Sequence, residues 1–366
     1  MTDDLFARLF DLFNAPGPVN WKLAAEVGRS VAGPAEPIDP QLAEDYRELT
    51  RTARLHVQEA SGLDLGPALE ASPVDRRSWT EANLHSFRYL VEPLAAKLGA
   101  AAGEPGPLDM LLRPLVPALL GLQMGAMVGY LSRRVLGQFD VGLPAAVPDS
   151  PQTPRLYLVV PNVEIFAGDY RLDPRQVRFW VALHEVAHQA EFATPWVRPT
   201  FLRLIGRYME SLQLDPAVLA ERIESLQDPQ ELERLLSDPA GMAGFLSGPA
   251  QRQALEELQA FMAVMEGYGE FVMDRAAPKL LPDLPKLREA MGRRRAEPSP
   301  GEQILQRLLG LEWKLKQYRL GARFCAEVDR RWGGEALARL WEGPDHLPTL
   351  AELEDPVGWA ARVMVG

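Results

Sequence analysis

Apolar residues recur at helical spacing over most of this chain. Within 41–60, Leu42, Tyr46, Leu49, Ala53 and Val57 fall three or four positions apart among charged residues, the pattern of an amphipathic helix. The same reading predicts helices over 20–28, 79–98, 108–120 and 123–136, with Ser78 capping the second and a kink or break near Pro93. Further on it predicts helices over 201–212, 216–226, 230–236, 251–276, 303–331 and 335–341. One segment differs. LYLVVPNVEIFA at 156–167 is rich in β-branched and aromatic residues, and reads as one or two short strands. Pro161 assigns it to an edge or bulge, where free backbone groups could meet an extended peptide. Gly/Pro-rich 237–250 is a connection, and proline-rich 277–301 a loop or short helix. Its cluster Arg293, Arg294 and Arg295 reads as solvated surface. The expected fold is mainly α with a small β-sheet. Residues 1–150 are expected to form a helical region packed on the core, and 151–366 a catalytic region with C-terminal helices.

The most apolar amphipathic stretch carries the chemistry. From Val177 to Thr194 there is no glycine or proline, and HEVAH lies inside the run at 184–188. Asp173 is the expected N-cap, Pro174 the first turn, and Pro195 follows the stop. On a helix, His184 and His188 face the same way, one turn apart. Two such imidazoles can hold Zn²⁺, and Glu185 can take a proton from a metal-activated water. Polar groups in an apolar run need partners, and a metal supplies one.

A catalytic zinc usually takes three protein ligands. His56 and His85 sit singly in predicted helices and read as structural or exposed, and His346, in a proline-containing turn, reads as surface or packing. The third ligand is expected to be a carboxylate. In MEGYGEFVMD, Glu266, Glu270 and Asp274 recur every four residues among apolar neighbours. Repeated buried acids are unfavourable unless something positive faces them. Glu266 is the first choice as ligand, with Glu270 behind a zinc histidine. The alternative is Glu270 as ligand with Asp274 behind it. Glu191, seven after His184, points to the same face and reads as a residue supporting the site.

Charge and cysteine content narrow the partners. A net charge of −11 without a long basic tract argues against nucleic acid. One cysteine, Cys325, permits no internal disulfide. The start MTDDLFARLFDLF lacks a basic segment leading into an apolar one, and the expectation is a cytoplasmic protein. Residues 114–132 carry no charge, and Gly121, Gly125 and Gly129 give them a small-residue stripe. With two prolines and Gln123 inside, this run is read as a buried helix, with no stable membrane insertion expected.

Together these stretches resemble the zincin-like metallopeptidase-like family formerly linked to coenzyme F420 biosynthesis. The likeness rests on VGYLSRRVLGQFDVGLP, LYLVVPNV, ALHEVAHQAEF, MEGYGEFVMD, LEWKLKQYRLGARF and LPTLAELEDPVGWAARV. It implies a zincin-like metalloprotease core with additional helices and a zinc-dependent peptidase or hydrolase. It also implies His184 and His188 as ligands, Glu185 as base and Glu266 as candidate third ligand. Tyr268, Lys314, Tyr318 and Arg319 are candidates to stabilise the developing oxyanion. Peptide-bond hydrolysis leads. The alternatives are hydrolysis of a small non-peptide amide, or an inactive zincin-like binding protein.

Overall fold

Side-chain caps open several of the helices. In this computed structural model, which describes residues 17–101, 115–143, 154–212, 249–296 and 314–365, Asn20 accepts the Leu23 N–H at 3.0 Å and opens α1, Trp21–Ala32. Asp39 takes the N–H groups of Gln41 and Leu42 to open α2, Pro40–Ser61. After β1, Ala71–Val74, Asp75 accepts the Ser78 N–H at 2.8 Å at the start of α3, Arg76–Ala101. The cap is therefore Asp75 rather than Ser78, and α3 runs on through Pro93.

Then come α4, Leu115–Ser132; β2, Gly137–Asp140; β3, Arg155–Val159; and α5, Val160–Asp169. The zinc-motif helix is α6, Pro174–Ala193, capped by Asp173 on the Gln176 N–H at 3.0 Å. It is followed by α7, Val197–Ser211; α8, Pro249–Ala276; α9, Leu284–Ala296; and α10, Lys314–Trp332. Three short helices close the described chain: α11, Gly334–Ala338; α12, Leu350–Glu354; and α13, Pro356–Val365. The helices expected over 216–226 and 230–236 fall outside the described residues.

The sheet has three strands in the order β1-β3-β2, with β1 parallel and β2 antiparallel to β3. This corrects the reading of 156–167. Only its first residues pair, and they form the central strand. Pro161 starts a helix instead of interrupting a strand, because its fixed φ suits a first helical turn. The strand beside α6 is β2, at the sheet edge. Buried Asn162 holds this junction, donating to the Ser132 and Val135 carbonyls at 2.7 and 2.6 Å and accepting from Arg76 Nε at 2.7 Å. The expected zincin-like metalloprotease core is not what these elements build. The strands are only four or five residues long, and the core around α6 comes mainly from α2 and α8.

Glycines set the spacing of two helix pairs. Along α4, a Cβ at Gly121 would lie 2.3 Å from Asn20 O, and one at Gly125 2.4 Å from Ala24 O. The small-residue stripe thus seats α4 on α1. The α4 helix is long and apolar enough to cross a membrane, and 56% of it is buried inside the protein. At the α8–α10 crossing, a Cβ at Gly321 would lie 1.8 Å from Ala263 O. Gly321→Ala must push the two helices apart. The expected loss is about 1–3 kcal/mol or more, read as a lowered midpoint in thermal melts.

The zinc-motif helix is also tied down by charge. Glu164 on α5 accepts two hydrogen bonds from Arg178 on α6, both at 2.8 Å, and one from Tyr46 on α2 at 2.7 Å. Burial alone would raise the Glu164 pKa, but the Arg178 and Tyr46 hydrogen bonds outweigh it and hold the carboxyl below its usual value. A lowered folded-state pKa stabilises the fold above the unfolded value near 4.5, and that stabilisation is lost as pH falls through the folded value. Glu164→Gln should lose about 1–2 kcal/mol at neutral pH. Its deficit relative to wild type should shrink in denaturant titrations below pH 4.5, where the wild-type carboxyl also becomes protonated.

Candidate metal centre

On α6 the one-turn spacing brings the rings of His184 and His188 to 4.7 Å between centroids, edge to face. Trp180, one turn before, stacks nearly parallel on His184 at 6.0 Å and fixes its plane. Helix α8 supplies the third group: Glu266 Oε2 lies 3.8 Å from His188 Nε2. One donor atom from each of His184, His188 and Glu266 lies within 4.8 Å of the others.

The surroundings orient these donors. His188 Nδ1 meets Glu191 Oε2 at 2.9 Å, and Glu191 is fully buried. With Nδ1–H given to Glu191, the Nε2 lone pair faces Glu266. Glu185, 5% exposed, accepts the Phe139 N–H of β2 at 2.6 Å. Gly137 lets β2 lie this close, since a Cβ there would sit 2.7 Å from both Glu185 Cγ and Oε1.

Burial pushes the Glu185 pKa up to about 7, and does the same for Glu191, while His188 opposes the shift in both. For His188, burial disfavours the charged form, but Glu191, Glu266 and Glu185 outweigh it and push the pKa up to about 10. Three carboxylates gathered round two imidazoles draw positive charge to this spot. A divalent cation meets that demand, and two imidazole nitrogens with one carboxylate oxygen are a donor set zinc takes. The residues fit the metal.

The other expected site residues are placed differently. Glu270 is half-buried one turn further along α8. Asp274 is exposed and pairs with Arg288. The Tyr268 hydroxyl donates to Ser61 O at 3.1 Å, within packing. The side chains of Lys314, Tyr318 and Arg319 lie outside those described. His346 Nδ1 bonds Arg339 O at 2.8 Å, and His56 packs edge-on to Phe179.

Two cavities adjoin the cluster. One, of about 450 Å³, has His188 and Glu266 in a mainly apolar lining. The other, of about 200 Å³, includes His184, Glu185, Arg134 and Arg294. Sequence reading missed β2 and these two arginines. Gly137 after an apolar run was the available signal for a chain reversal there.

Residues 19–360 match the sequence pattern of the zincin-like metallopeptidase family. The chain belongs to that family. A zinc-dependent hydrolase site at an HExxH motif is thus supported by both the family and the triad His184, His188 and Glu266. No curated protein matches the chain. Among solved structures it is similar to a candidate hydrolase with a novel fold from Chloroflexus aurantiacus. The two share 26% identity over 95% of this chain and 99% of that one, with a TM-score of 0.68. That likeness completes the correction to the fold. The architecture is mainly α with a small sheet, as expected, but it follows a relative described as a novel fold rather than a zincin core. The HExxH motif is carried here on a frame other than the zincin core.

Proposed function

We propose that this chain is a zinc-dependent metallopeptidase, with His184, His188 and Glu266 holding the zinc and Glu185 acting as general base. The observation that carries this reading is the meeting of three donors within 4.8 Å, with Glu185 beside them on the same helix. When bound, zinc supplies Lewis acidity, lowering the pKa of a water and polarising a carbonyl.

The remaining steps fall to the chain. The Phe139 N–H holds one Glu185 oxygen, so the carboxylate cannot swing away. Burial favours the protonated acid, whereas a nearby divalent cation favours the carboxylate that can accept a proton. As the C–O bond forms, Glu185 takes the water's proton; it then delivers a proton to the amide nitrogen as the C–N bond breaks. Glu191 keeps His188 in one tautomer. Glu270 supports the cluster from the next turn of α8, while Asp274 is occupied by Arg288. In this reading residues 151–366 carry the catalytic region, and residues 1–150 pack on it and lend β2.

The test is cleavage of a mixed peptide library by purified, zinc-loaded protein, followed by mass spectrometry. New peptide termini that vanish in Glu185→Gln support the peptidase. Turnover confined to small non-peptide amides replaces it with the small-amide hydrolase. Stoichiometric zinc with no turnover of either class leaves a binding protein.

A further inference from the structure

Apolar side chains from four helices converge beside the donor cluster. Phe87 and Leu90 on α3, Phe192 on α6, Ile205 and Met209 on α7, and Met262 on α8 wall the larger cavity. All six are only partly buried, which leaves apolar surface facing the space. Covering such surface with another apolar group is favourable. The acids of the lining are Asp140 and Glu266, and among the described residues no lysine or arginine joins them. An anion is therefore disfavoured there.

Size separates the possible occupants. The cavity measures about 450 Å³. A methylene takes about the room of a water, roughly 30 Å³, so on the order of ten to fifteen carbon groups fit. One tryptophan side chain leaves much of that space unfilled. A run of several residues would fill it, but each brings a main-chain N–H and C=O that need partners. The lining offers few. Asn83 Nδ2 donates to Trp79 O at 3.0 Å, and Asn83 Oδ1 accepts from Gln138 Nε2 at 2.9 Å. Asp140 Oδ1 accepts the Gly142 N–H at 3.0 Å. Gln138 Oε1 is buried without a partner, a single acceptor where every peptide unit would need both a donor and an acceptor. A hydrocarbon chain makes no such demand.

The general base fixes which side of the bond enters. Glu185 lines the smaller cavity, while His188 and Glu266 line the larger. Glu185 delivers a proton to the departing nitrogen, so the nitrogen lies on its side. The substituent of the carbonyl carbon then points past His188 and Glu266 into the apolar space.

We propose that the substrate is an N-acyl amide whose long hydrocarbon chain fills the larger cavity. The proposal rests on the metallopeptidase reading for the bond that is cut, here the amide of an acylated amino group, while the hold on the chain stands on the lining alone. The water oxygen bonds to the carbonyl carbon and the C–N bond breaks. Both protons of the water end on the nitrogen, giving a fatty carboxylate and an ammonium group.

The experiment uses the zinc-loaded full chain and uncleavable ketomethylene analogues of N-acylglycinamides with butanoyl, hexanoyl, octanoyl and decanoyl chains, all below micelle-forming concentrations. Titration calorimetry should show affinity rising about three- to fourfold per added methylene, more than about a hundredfold over the series. Ending the decanoyl chain in a carboxylate should weaken binding at least about tenfold. Ile205→Trp and Met262→Trp each take up space in the cavity, and should weaken the decanoyl probe at least about tenfold more than the butanoyl probe. Melting curves show whether each variant is folded; if neither is, the wild-type slope and the carboxylate-ended probe decide. Affinity that does not change with chain length overturns the proposal. So does a carboxylate-ended probe that binds as tightly as the methyl-ended one, or a slope that survives in both folded variants. Zinc content is read on the same samples. Wild-type protein that holds no zinc rejects the metallopeptidase reading instead, and the same series in that protein still decides the chain's place, because no metal touches the hydrocarbon.

Discussion

Replacing Glu185 by Gln should lower turnover by about 10²–10⁴-fold while zinc and fold are retained. The substitution keeps the side chain's size in a site where Glu185 is almost fully buried. The amide oxygen of Gln can still accept the Phe139 N–H that Glu185 accepts at 2.6 Å. What disappears is a group able to take a proton. The pH profile adds a second check. Burial pushes Glu185 up to about 7, and its working form is the carboxylate, so activity should fall as pH drops through its titration. A divalent cation favours the carboxylate and moves that acid limb below 7. The limb should be missing from whatever turnover Glu185→Gln retains. Full turnover in that variant, with zinc bound and contaminating peptidases excluded, would remove Glu185 from the chemistry.

Glu266→Gln is expected to produce the largest change in metal affinity. Its carboxylate faces His188 Nε2 at 3.8 Å and is the charged member of the triad. Loss of a supporting hydrogen-bond partner typically weakens a metal site by about 10–100-fold, which is the expectation for Glu191→Gln. Loss of a direct ligand should exceed that. Asp274→Asn should change little, because Asp274 is exposed and paired with Arg288. Competition against a metal-binding dye measures all three. Unchanged affinity in Glu266→Gln together with strong loss in Glu270→Gln would move the ligand one turn along α8.

These effects also show where the sequence is a sufficient guide. HEVAH is legible because its chemistry is local: four-residue spacing, a capping Asp173 and Pro174 fix one helix and one face. The acid stripe is only half legible. Four residues exceed a helical turn by 0.4 residue, so each step rotates about 40° and the stripe winds around α8. Glu266 reaches the histidines, and Asp274, two steps on, reaches solvent and Arg288. LYLVVPNV misleads because a buried strand and the first turn of a buried helix use the same apolar residues. Strand β2 is four residues long and is defined by pairing with β3, a non-local fact. Arg294 looks like its neighbour Arg293, yet Arg293 pairs with Glu289 in solvent while Arg294 lines the polar cavity. The zincin-like core is what the family resemblance implies, and the HExxH motif within it dictates one helix and says little about the sheet beside it.

The central claim is that His184, His188 and Glu266 together hold one zinc. Elemental analysis of extensively dialysed protein tests it most directly. The account predicts near one zinc per chain in wild type. It predicts almost none in a His184→Ala, His188→Ala double variant whose circular dichroism matches wild type. A folded wild-type protein that carries no transition metal, and takes up none when zinc is added, would contradict it.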